Sequence, residues 1–125
     1  MPLINSIISW VNVKRLHQIE LFMKYPVDVQ QEVFSRLIEQ AMRTTWGVQY
    51  GFDSISSIQD YQERVPISTY EDIKPYINRL REGEQNLLWP TEIKWFAKSS
   101  GTTSDKSKFI PVSNESLEDC HFRGG

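Results

Sequence analysis

Between Ser99 and Lys108 the chain runs Ser-Ser-Gly-Thr-Thr-Ser-Asp-Lys-Ser-Lys, ten residues without an apolar side chain. Such a run has nothing to bury and must pass over a surface, because polar groups taken from water without partners are costly. β-favouring residues flank it: Ile93, Trp95 and Phe96 stand before, and Phe109-Ile110-Pro111-Val112 after. The pattern predicts strand, loop, strand.

Helical spacing governs the residues upstream. Ile4, Ile7, Ile8 and Val11 fall at i, i+3, i+4 and i+7, and Ile19 and Phe22 continue that face. They predict an amphipathic helix over about residues 3–24, ended by Pro26. Val33, Phe34, Leu37, Ile38 and Ala41 mark a second helix that stops near Gly47 and packs on the first. Ser57 and Asp60 have capping-box spacing, opening a short helix that Val65-Pro66 closes. Ser68 and Glu71 repeat the spacing, but Pro75 lies too deep for that helix, so the expectation is a turn and then a helix from Pro75 to Gly83. After the loop, Ser113 or Asn114 caps a further helix with Glu115, Glu118 and Asp119 near its start. The expected fold class is α/β, with α+β content in these residues: helices over 1–92, a hairpin over 93–112, and the beginning of a helix over 113–125.

With a formal charge of −2 the chain lacks the clustered Lys and Arg that a nucleic acid or anionic membrane needs. The segment 94–108 alone is net basic, with four lysines against Asp105, and it coincides with the polar loop. Cys120 is the only cysteine, which excludes a disulfide framework and points to an intracellular, cytoplasmic setting. His17 and His121 have no metal-ligand spacing, so no protein metal site is expected. The apolar residues from Leu3 to Val13 are broken by Asn5, Ser6, Ser9 and Asn12, and suit neither a signal peptide nor a membrane span. Trp10, Trp46, Trp89 and Trp95 read as core or as a face that a further part of the protein covers, Glu71 and Asp72 as helix-start carboxylates, and Glu82 and Glu84 as solvated charges.

The loop's composition suits phosphate. Gly101 lets backbone N–H groups turn toward an anion, while Ser99, Ser100, Thr102, Thr103 and Ser104 add hydroxyl donors. Lys106 or Lys108 supplies charge against a leaving pyrophosphate. A Walker A loop needs a second glycine just before its Lys-Ser/Thr pair, and from Gly101 that position is Lys106, so the match fails. On composition alone the run also suits a plain polar hairpin turn.

The stretch Ser99 to Pro111 resembles the first ATP-binding motif of adenylate-forming enzymes: Ser-Ser-Gly-Thr, a small-residue stretch, Lys, two apolar residues and Pro. That form is similar to the auxin-responsive acyl-acid amido synthetase family, here as a bacterial-type member. Val65-Pro66, Tyr70-Glu71-Asp72-Ile73, Pro75-Tyr76-Ile77, Arg79 and Gly83-Glu84 resemble the segment that precedes the loop in those proteins. The chain differs in carrying Asp105 where many members have glycine.

The resemblance implies an enzyme using ATP and Mg²⁺ to convert a carboxylic acid to an acyl-adenylate, from which an amine such as an amino acid takes the acyl group. It implies phosphate contacts from Ser99, Ser100, Gly101, Thr102, Thr103 and Ser104, with Lys108 as the motif lysine, and assigns no catalytic residue. The later nucleotide motifs and the mobile C-terminal domain have no counterpart here. Residues 1–125 are therefore expected to be the N-terminal part of a larger adenylate-forming domain, unable to complete a cycle without the rest of the enzyme. The competing expectation is a non-catalytic helical interaction module, or a truncated remnant, with an anion-binding Ser/Thr loop.

Overall fold

The computed structural model describes residues 2–101 and 106–123. The chain divides into two compact units, residues 1–36 and 37–125. In the first, helix α1 spans Pro2–Lys24 and α2 begins at Pro26, running to Ala41 across the division. Pro26 suits a first helical position, where its missing N–H costs nothing. The backbone carries on through the junction, since Tyr25 N–H donates to the Leu21 carbonyl at 2.8 Å and Val29 N–H to that of Tyr25 at 3.1 Å. The expected packing of α1 on α2 is not seen. Val11, Ile19, Phe22 and Val33 are exposed, because the chain runs on at Pro26 rather than turning back.

The second unit holds the core. The second helix stops at Ala41, short of the expected Gly47, because Thr44 intervenes and starts another. The Thr44 hydroxyl donates to the Ala41 carbonyl at 2.7 Å and accepts from Gly47 N–H at 3.0 Å, capping α3, Thr45–Gln49. Thr44 is fully buried, so both bonds offset a desolvation cost. Gly47 is required here: a Cβ would lie 2.0 Å from the Ala41 carbonyl oxygen. A 3₁₀ turn at Phe52–Ser54 leads to α4, Ile58–Arg64, opened by the expected Ser57/Asp60 capping box. The Asp60 carboxylate accepts from the Ser56 and Ser57 N–H groups, and the Ser56 bond is the main cause holding its pKa below the usual range.

Helix α5 corrects a sequence expectation. It is continuous over Tyr70–Arg81 with Pro75 inside, and its cap is Thr69 with Asp72, one residue along from Ser68 and Glu71. The Asp72 carboxylate accepts from both N–H and hydroxyl of Thr69, at 2.7 and 2.8 Å. Pro75 removes one intrahelical bond, that to the Glu71 carbonyl, and the apolar side anchored by buried Ile77 and Leu80 holds the helix together across it. Gly83, at φ 103°, ends the helix as its position predicts. Glu84 then forks onto Arg79 with two contacts of 2.6 Å while staying exposed, so the solvated charge expected from its position is also a paired one.

Leu80, Leu87 and Ile93 form the core cluster, with Tyr76, Leu88, Trp89 and Phe96 packed against it. Residues 85–87 clamp α3: Thr45 and Trp46 N–H donate to the carbonyls of Asn86 and Leu87 at 3.0 and 2.9 Å. Strands β1, Trp95–Lys98, and β2, Phe109–Val112, pair antiparallel with Trp95 opposite Val112 and Lys98 opposite Phe109. Opposed residues share a sheet face, so Phe96 turns to the core while Trp95 and Ile110 stand exposed on the other side. Of the four tryptophans, Trp89 and Trp46 are half-buried, whereas Trp10 and Trp95 are 66% and 61% exposed and so lie outside the core of these residues. Helix α6, Asn114–Ser116, is capped by Ser113 and continues as a π-helical stretch, Leu117–Phe122. The mixed fold with a strand–loop–strand follows the expected class.

Candidate anion-binding loop and groove

Ser99 forms the base of the loop from both of its polar groups. Its N–H donates to the Lys108 carbonyl at 2.9 Å, and its hydroxyl oxygen accepts from Lys108 N–H at 3.0 Å. A hydroxyl thus does on one side what a ladder carbonyl does elsewhere, closing the hairpin and fixing where Lys108 leaves it. Ser100 and Gly101 follow as exposed residues. Thr102, Thr103 and Ser104, also assigned phosphate contacts from sequence, lie outside the described residues, as does Asp105.

Antiparallel ladders alternate bonded and non-bonded pairs, so with Ser99 and Lys108 bonded, Lys98 and Phe109 are the next, non-bonded pair. The N–H and C=O of Phe109 therefore point away from β1. The Tyr70 hydroxyl takes both: it accepts from Phe109 N–H at 3.0 Å and donates to the Phe109 carbonyl at 3.1 Å. One side chain at the start of α5 stands in for a third strand. The Lys108 ammonium lies 5.5 Å from the centre of the Tyr70 ring, and the Arg81 guanidinium 3.9 Å from that of Phe109. Both are within cation–π range.

These contacts shape a cavity of about 280 Å³ between α5 and residues 106–109. Lys74, Arg81, Lys106 and Lys108 line it against the carboxylate of Glu71, with Asn78 and Ser107 as further donors. Glu71 is paired with Lys74 at 3.0 Å. Lys108, singled out from sequence, and Lys106 thus meet residues that sequence reading passed over: Tyr70, Lys74, Asn78 and Arg81. The signal was present, since 71, 74, 78 and 81 are spaced three, four and three apart and share one helical face. Breaking the helix at Pro75 concealed it. On the other side of the unit, Glu115 accepts from the Thr91 hydroxyl at 2.9 Å and Trp89 Nε1 at 3.3 Å, tying the core segment to α6. Its own backbone N–H is the largest cause lowering its pKa.

Among the described residues no cluster of three His, Cys, Asp or Glu side chains could hold a metal ion, and no helix is long and apolar enough to cross a membrane.

Residues 15–124 match the GH3 family N-terminal domain. The chain belongs to the GH3 family. It is 29% identical over 117 residues to indole-3-acetic acid-amido synthetase GH3.2 of Arabidopsis thaliana, an alignment covering 93% of this chain and 21% of that protein. With jasmonoyl-L-amino acid synthetase JAR6 of Nicotiana attenuata it shares 31% identity, over 84% of this chain and 18% of the relative. Among solved structures, the GH3.15 acyl acid amido synthetase superposes with a TM-score of 0.74 at 28% identity, over 83% of this chain and 19% of its own. The chain thus spans about a fifth of the length of the relatives it matches. These relatives are plant proteins, and they lend no support to the bacterial-type assignment.

Proposed function

We propose that this GH3 chain contributes the polyphosphate-gripping part of an ATP-dependent acyl acid amido synthetase. The enzyme adenylates a small carboxylic acid and passes the acyl group to an amine such as an amino acid. ATP supplies the adenylyl group, and pyrophosphate leaves. Within the chain, Ser99, Ser100, Gly101, Thr102, Thr103 and Ser104 bind phosphate oxygens. Lys108 places its charge beside them, and Ser99 also keeps the loop closed. Mg²⁺ comes with the nucleotide and is held chiefly through its phosphates, as this ion prefers. The expected setting is the cytoplasm, and the remainder of the catalytic machinery is the partner these residues work with.

The observation that carries the reading is the base of the loop, where two hydrogen bonds between Ser99 and the Lys108 backbone close the hairpin and fix Lys108 at the end of a Ser/Gly/Thr sequence. The donor set suits a polyphosphate: backbone N–H groups freed by Gly101, hydroxyls, and a cation directly before strand β2. Calorimetric titration of ATP into the protein tests it. Lys108→Ala should weaken binding by roughly tenfold, the worth of one charge-assisted hydrogen bond. Gly101→Val should weaken it further by closing the φ range the loop needs. ATP affinity unchanged in both variants sinks the assignment.

A further inference from the structure

The cavity between α5 and residues 106–109 is not explained by the loop alone. Half of its cations come from the helix: Lys74 and Arg81 on one wall face Lys106 and Lys108 on the other, with Glu71 as the opposing carboxylate. At about 280 Å³ it falls just under the roughly 300–1,000 Å³ of sites that take drug-sized ligands. It is too small for a whole nucleotide and of a size for a small inorganic anion. Asn78 adds an amide donor, and the aromatic rings of Tyr70 and Phe109 give it rigid, apolar sides.

We propose that this groove is a pyrophosphate site, distinct from the loop's grip on ATP, which receives the leaving group as it departs. The inference rests on the adenylation reading. In that reaction a carboxylate oxygen bonds to the α-phosphorus as the bond from that phosphorus to the bridging oxygen breaks. Pyrophosphate then leaves with the electron pair and carries several negative charges. Lys106 and Lys108, which stand between loop and groove, let the anion pass from one to the other without losing its cationic partners. The far wall, built by Arg81 and Lys74, stabilises it once it has left.

The test is calorimetric titration of sodium pyrophosphate into the 125-residue chain at low salt, with inorganic phosphate and ATP as parallel ligands. Arg81→Gln should weaken pyrophosphate by roughly tenfold, through loss of a charged hydrogen-bonding partner. Asn78→Asp, on an exposed position where no packing is lost, should weaken it about fivefold by adding one like charge. Lys94→Gln, the same loss of charge outside the groove, should change nothing. ATP affinity should stay within about twofold in the α5 variants, and pyrophosphate binding should fall with added salt. Three results overturn the groove: no pyrophosphate binding by the wild-type chain, affinity unaltered in both Arg81→Gln and Asn78→Asp, or equal losses for ATP and pyrophosphate. Any of these leaves the loop standing if Gly101→Val still weakens ATP binding. The converse, with pyrophosphate weakened by the α5 variants while ATP is indifferent to Gly101→Val and Lys108→Ala, confirms the anion groove and removes the adenylation reading.

Discussion

Replacing Tyr70 by Phe isolates what holds β2 in place. The substitution removes one oxygen and leaves the ring on which the Lys108 ammonium rests, so packing and the cation–π contact survive. Two hydrogen bonds are lost, at 3.0 and 3.1 Å, and with them both partners of the outward N–H and C=O of Phe109. The site is half-buried, so water replaces part of the loss. At about 1 kcal/mol net for each bond, the cost is about 2 kcal/mol. For a chain of this size that corresponds to a fall in melting temperature of about 5–10 °C. A second readout locates the effect. If the hydroxyl is what closes the outer edge of β2, opening there becomes easier by the same amount, and the Phe109 amide should exchange with solvent some thirtyfold faster by NMR. Amides of α4, away from this contact, should change only as far as global stability changes. A Phe109 exchange rate within about twofold of wild type, with an unshifted melting temperature, would refute the idea that Tyr70 substitutes for a third strand.

Gly47→Ala should destabilise the chain by about 2–3 kcal/mol in urea unfolding, since its Cβ meets the Ala41 carbonyl and forces apart the Thr44 cap. A gain in stability, as helix propensity alone would give, contradicts the packing argument. Acid should act in one direction: Asp60, Asp72, Glu84 and Glu115 all have folded pKa values held below their ordinary ones, chiefly by hydrogen bonds. Their contribution is complete above the unfolded carboxyl range of about 4 and is lost as pH falls through the lower folded values. Unfolding midpoints should therefore be flat from neutral pH down to about 5 and drop below about 4, and a midpoint that rises on acidification overturns the assignment.

Local chemistry was legible in the sequence wherever it was decided by neighbours. Ser57/Asp60, Gly83 and the β-favouring residues around Ser99 to Lys108 each act within a few positions, and each did what its pattern predicts. The misreadings have a common origin in packing between distant residues. Pro75 costs a hydrogen bond locally, yet Ile77 and Leu80, buried at 4% and 3% exposure, outweigh it and keep α5 whole. The second helix ends at Ala41 rather than near Gly47 because the buried Thr44 caps α3, which the 85–87 segment holds through Thr45 and Trp46. Glu84 is the surface charge its position predicts, and the turn at Gly83 adds a local pairing with Arg79 five residues back. Packing between distant residues also hid the groove, because Lys74 and Arg81 become neighbours of Lys106 and Lys108 only once α5 is continuous and docked on β2.

Phe109 is where these separate effects meet. Its backbone is held by Tyr70, and its ring lies against the Arg81 guanidinium at 3.9 Å and the Lys98 ammonium at 5.8 Å. It also directly follows the lysine assigned to the phosphates. A cation near an aromatic face is held by the ring quadrupole without being neutralised, so it keeps its charge for an incoming anion. An ion pair would not serve as well, because a carboxylate beside Arg81 would cancel the field the groove needs. Arg79, two residues earlier on the same helix, is paired in that way with Glu84 and faces away from the cavity lining. Both arginines, two residues apart on one helix, lie near an aromatic ring, Arg79 at 5.9 Å from that of Tyr76, but only Arg79 is also paired with a carboxylate. Arg79 is consumed in fastening the helix end, while Arg81 is positioned by an aromatic ring and remains available to bind.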